Sequence, residues 1–66
     1  MQVLINQNPV TCEGGVTLQE LLERLGYTPQ NVAVAIDGAF VPRSKYPLLA
    51  IEAGQTLDVV APMQGG

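Results

Sequence analysis

One stretch of this 66-residue chain repeats its apolar residues with the period of a helix, and most of the rest alternates like strands. Leu18, Leu21, Leu22 and Leu25 follow the i, i+3, i+4, i+7 spacing of one apolar face, while Gln19, Glu20, Glu23 and Arg24 fall on the other. Thr17 and Glu20 stand at the spacing of a capping box, in which hydroxyl and carboxylate each satisfy a backbone N–H left over at a helix start. Gly26 sits where the helix should stop. The stripe reads as core and not as a partner-binding face, because the chain has few other large apolar residues with which to build one. A single short helix among strands must lie across a sheet.

The strands follow from alternation. Met1, Val3 and Ile5 alternate with Gln2, Leu4 and Asn6, as in a strand with one face buried. Residues 6–9 (NQNP) are turn formers, and Val10 and Cys12 resume the alternation, so a hairpin should open the fold and end at Gly14 and Gly15. Residues 27–31 contain Pro29 and read as a connection; residues 32–36 (VAVAI) read as a strand. Asp37-Gly38 then predicts a type I′ turn, with residues 39–41 returning antiparallel. Pro42 cannot donate to a ladder, so residues 42–47 should be an irregular excursion, after which Leu48, Leu49 and Ile51 should tuck back over the core. Residues 53–55 make another turn, and 56–61 form a last strand with Leu57, Val59 and Ala61 on one side and Thr56, Asp58 and Val60 on the other. Pro62 stops the pairing. The order predicts an α+β domain over residues 1–62, with one helix packed on a mixed sheet of about five short strands, and a flexible tail over 63–66.

Composition removes several functions. Six acidic and three basic residues give a net charge of −3, and Arg24, Arg43 and Lys45 form no stripe, which disfavours nucleic acid. Arg43 and Lys45 read as solvated charges. With no histidine and one cysteine, the usual zinc, iron and copper ligand sets are missing, so no metal is expected. Cys12 has no internal disulfide partner and reads as a small apolar core residue. No apolar run is long enough to span a bilayer and no basic leader opens the chain, so a cytoplasmic protein without membrane attachment is expected. A domain this small has little room for a deep catalytic cleft, and Asp37 and Asp58 have no paired carboxylate near them in sequence. The chain is therefore not expected to be an enzyme.

The end of the chain carries the chemistry instead. Gly65 and Gly66 leave a carboxylate at the tip of a tail without side chains, thin enough to pass through a narrow channel. A carboxylate resists nucleophiles, but joined to AMP from ATP it becomes an acyl adenylate with a good leaving group. The bland alternative is a frayed end of small residues. Five of the seven glycines lie at turns or helix ends and the other two are the tail, which favours the reactive reading.

The opening strand MQVLIN, the helix start TLQELL at 17–22, the segment AIDGAFVPR at 35–43, the acidic-Ala-Gly turn before the last strand and the closing Gly65 and Gly66 together resemble the ThiS family of sulfur carriers, which has the ubiquitin-like β-grasp fold. The resemblance spans essentially the whole chain. It implies that a ThiF-type adenylyltransferase, using ATP and magnesium, adenylates the carboxylate of Gly66. Sulfur from a persulfide donor then yields a thiocarboxylate, which a ThiG-type thiazole synthase takes into the thiazole ring. Gln64, Gly65 and Gly66 would occupy the partners' channels, with no catalytic residue on the carrier itself, and Val60, Pro62 and Met63 are docking candidates beside them.

Two other carriers of a terminal glycine fit less well. A molybdopterin synthase small subunit has the same terminal chemistry, but such proteins tend to be longer. A protein modifier would join Gly66 to lysines and leave high-molecular-weight conjugates in extracts. An interaction module with idle glycines would lose nothing when they are removed.

Overall fold

Two tight turns set the register of the sheet. Asn6 and Gln7 have φ of 51° and 71°, and Asp37 and Gly38 have φ of 51° and 85°, so both pairs have the positive φ values that a two-residue type I′ hairpin needs. The first turn joins β1 (Gln2–Ile5) to β2 (Asn8–Thr11), and the second joins β3 (Ala33–Ile36) to β4 (Ala39–Val41). Between the hairpins runs α1 (Leu18–Arg24), and β5 (Thr56–Val60) closes the computed structural model, which describes residues 1–61. The predicted domain boundary at Pro62 lies just outside the described residues.

The sheet order is β2-β1-β5-β3-β4. The last strand thus enters the centre, parallel to β1 and antiparallel to β3, while the hairpin partners form the edges. Val3, Ile5, Val34, Ile36, Val41, Leu57 and Val59 form the sheet's buried side, and Leu18, Leu21 and Leu22 of α1 join them in one core. The mixed sheet on one helix expected from the sequence is the observed architecture. No helix among the described residues is long and apolar enough to cross a membrane.

The helix ends are built as the sequence foretold. Thr17 Oγ1 accepts the Glu20 N–H at 3.2 Å while Glu20 Oε1 accepts the Thr17 N–H at 2.9 Å. At the other end Tyr27 N–H donates to Leu22 O and Gly26 N–H to Glu23 O, with Gly26 at φ 89°, which is the Schellman arrangement.

Several expectations are corrected. Asn8 and Pro9 belong to β2 and not to the turn; β2 is an edge strand, and Leu4, opposite Pro9, sends its N–H to Gln55 O across the other side, so the proline leaves no gap in the ladder. Leu25 was expected on the buried face but is 38% exposed, because α1 is seven residues long and the third repeat falls past its end. Leu48 was expected over the core but is 75% exposed. Its place is taken by Tyr46, which is buried and donates its hydroxyl to Val32 O at 3.0 Å. The excursion at 42–47 is therefore partly ordered, around a 3-10 turn at Arg43–Lys45. Val32 is buried but precedes β3, and Ala61 lies beyond β5 and is exposed.

Candidate functional site

The residues expected to carry the chemistry, Gln64, Gly65 and Gly66, and the docking candidates Pro62 and Met63 lie outside the described residues. The described part of the site is the end of β5 that precedes them in sequence, together with its neighbours.

This end of β5 is held from both sides. On the β3 side Val60 is paired with Ala33 and Val59 with Val34. On the β1 side the strand pairing ends at Ile5 and Leu57, and Asn6 continues it: its backbone N–H donates to Leu57 O at 2.9 Å, its Oδ1 accepts the Val59 N–H at 2.8 Å, and its Nδ2 donates to Val59 O at 3.1 Å. Asp37, the turn residue of the other hairpin, secures the opposite end of β5. Its N–H donates to Thr56 O at 2.7 Å and its Oδ1 accepts the Thr56 N–H at 2.9 Å.

The sheet face turned away from α1 is partly apolar. Val60, the one docking candidate among the described residues, is 63% exposed there. The registers put Val60 beside Ala33, Asp58 beside Ala35, Ala35 beside Phe40 and Thr56 beside Leu4, so these side chains share that face. Phe40 is 71% exposed and Leu4 41%. Leu4, Phe40 and Val60 are thus exposed apolar residues spread over one face, with Thr56, Asp58, Ala33 and Ala35 between them, and such residues suit contact with another protein. Beside Val60 a shallow groove of about 310 Å³ is lined by Gln30, Asn31, Val32, Ala33, Arg43 and Val60. Arg43 is exposed, as expected, and in addition its Nε donates to Pro29 O at 3.4 Å and its Nη2 to Val32 O at 3.3 Å, tying the connection before β3 to the turn after β4.

Among the described residues no titratable groups cluster at the end of β5. Glu20, far along the chain in the helix cap, is held below the usual carboxylate range, chiefly by the Thr17 N–H and then by the Thr17 hydroxyl. Arg24 pairs with Glu13 at 2.8 Å on the exposed surface. Cys12 is buried in the core, as its alternation with Val10 suggested. Among the described residues no group of histidine, cysteine, aspartate and glutamate is placed to hold a metal. Among the described residues the arrangement provides an exposed face and a β5 end held on both edges.

Asn6, Phe40 and Arg43 escaped the sequence reading as site residues. A signal existed for Phe40, a large apolar residue beside a hairpin turn at a position of the strand that faces outward. None existed for Asn6, whose partner is 53 residues away.

Comparison with known proteins agrees with this geometry. The sequence model of the ThiS family matches residues 3–66. The chain is 32% identical to the sulfur carrier protein ThiS of Escherichia coli over 66 residues, covering the whole of both. It is also 35% identical to a thiazole synthase of Magnetococcus marinus and 33% to one of Paramagnetospirillum magneticum, covering all of this chain but only 20% of each of theirs. The crystal structure of a thiamine biosynthesis protein (ThiS) from Geobacter metallireducens has the same fold, with a TM-score of 0.83 at 23% identity and full coverage of both chains. A solution structure of a thiamine biosynthesis protein from that organism gives 0.81 at 25% identity, covering all of this chain and 88% of that one.

Proposed function

The chain belongs to the ThiS family and is a sulfur carrier of thiamine biosynthesis, not a catalyst, and on that premise we propose that its sulfur rides on the carboxylate of Gly66. A ThiF-type adenylyltransferase, with ATP and magnesium, joins that carboxylate to AMP and releases pyrophosphate. The outer sulfur of a persulfide displaces AMP, and a thiol cleaves the resulting acyl disulfide to leave the thiocarboxylate. Its sulfur is a better nucleophile than oxygen near neutral pH, and a ThiG-type thiazole synthase takes it into the ring. The carrier supplies position and recognition.

The observation that carries this reading is a family match over residues 3–66, which runs through the terminal glycines. Two proteins named thiazole synthase each contain a stretch similar to this entire chain, which supports the synthase as a partner. Docking falls to the outward sheet face around Val60, with Pro62 and Met63 as further candidates next in sequence, while Gln64, Gly65 and Gly66 enter the partners' channels. A cytoplasmic setting suits a chain whose one cysteine is unpaired.

The test is intact-mass spectrometry after incubation with the adenylyltransferase, ATP, magnesium, a persulfide source and a thiol. A gain equal to one oxygen replaced by sulfur is expected, and none when Gly66 is deleted. No gain beside an active control carrier would overturn the assignment. Gly65→Ala should leave the fold intact and slow loading, because a methyl group must enter the channel. Loading at the wild-type rate would refute that role.

A further inference from the structure

The first hairpin turns away from β5 two residues too early. Strand pairing with β1 stops at Leu57, and a two-residue turn at Asn6 and Gln7 then sends the chain back along β2. Val59, the last inward-facing residue of β5, would have no neighbour on that edge. The Asn6 carboxamide fills the gap by imitating a peptide group, accepting from the Val59 N–H at 2.8 Å and donating to the Val59 carbonyl at 3.1 Å. The turn itself asks only for positive φ, which glycine provides at less cost. Asparagine alone combines tolerance of φ 51° with a donor and an acceptor at this short reach. Aspartate lacks the donor, glycine has neither group, and glutamine is one carbon longer.

We propose that Asn6 is a positioning residue for sulfur loading: it fixes the end of β5 at Val59, from which the chain runs on to Gly66. The proposal rests on the reading of Gly66 as the loading position. With Asn6 in place β5 is gripped on both edges up to Val59 and Val60, so the docking face around Val60 and the point from which the chain runs on to Gly66 are held together. Reactions in which a bound group must meet ATP in line are sensitive to such placement.

The test compares Asn6→Gly, Asn6→Asp and the helix-cap variant Thr17→Ala with the unmodified chain. Pyrophosphate release by the activating enzyme gives kcat and KM for each carrier, and amide hydrogen exchange follows Val59. For Asn6→Gly, Val59 exchange should accelerate about tenfold or more while the core amides of Val34 and Leu57 stay protected. Its kcat should fall at least about threefold with KM within about twofold. Asn6→Asp, which keeps the acceptor, should lie between. Thr17→Ala, which loses stability away from the tail, should keep the wild-type kcat. An Asn6→Gly carrier with unchanged kcat despite a freed Val59 overturns the proposal, as does an equal loss in Thr17→Ala. If the unmodified chain itself releases no pyrophosphate, the carrier chemistry fails instead, so the two failures are distinguishable.

Discussion

Tyr46 lies between Lys45 and Pro47, in a stretch with neither helical nor strand period, yet it is among the most buried side chains in the molecule. Its burial follows from a partner, the Val32 carbonyl, which also receives Arg43 at 3.3 Å. Tyr46→Phe keeps the ring and removes the 3.0 Å bond, leaving that carbonyl with its weaker donor. The expected cost is about 1 kcal/mol. It is read as a lower denaturant midpoint with an unchanged slope. Asn6 poses the same difficulty for sequence reading. Its turn propensity is local and legible, but its clamp on Val59 exists only once β1 and β5 lie side by side.

Element by element, local chemistry was more transparent. The capping box at Thr17 and Glu20, the stop at Gly26 and the Asp37-Gly38 turn rest on groups within five residues of one another, so the sequence shows them locally. Leu25 and Leu48 were misjudged because pattern tells which residues are apolar, whereas the end of a seven-residue helix and the seating of Tyr46 decide which are covered. The helix start makes a test of its own. The Thr17 N–H and hydroxyl favour ionised Glu20, so its folded pKa lies below the unfolded one. The capping contribution is complete above the ordinary glutamate range and disappears as pH falls through the lowered value. In urea unfolding, the stability advantage of the wild type over Glu20→Ala should shrink accordingly between neutral pH and acid. A pH-independent advantage would contradict the charged cap.

Across the whole molecule, strand order was the main thing hidden from the sequence. Hairpin neighbours can be read from adjacent alternation, but nothing local announces that the last strand enters between the first and third. The site was legible to the same extent. Gly65 and Gly66, the proposed reactive end, lie outside the described residues; Val60 is exposed as its place in the alternation suggested, while Leu4 and Phe40 joined its face only when the strand order set them there. Val60→Asp should leave the 63% exposed position folded and raise the KM for adenylation. A tenfold rise corresponds to about 1.4 kcal/mol of lost contact. An unchanged KM would remove this face from docking.

The parallel pairing of β1 with β5 also has a mechanical consequence. Parallel neighbours begin at the same end of the sheet, so a pull on the far end of β5 against the near end of β1 runs along both strands. The bonds between them, and the Asn6 clamp beyond, are loaded together in shear and do not open one at a time like a zip. A pull between the start of β1 and the end of β5 therefore meets these bonds all at once, not one after another.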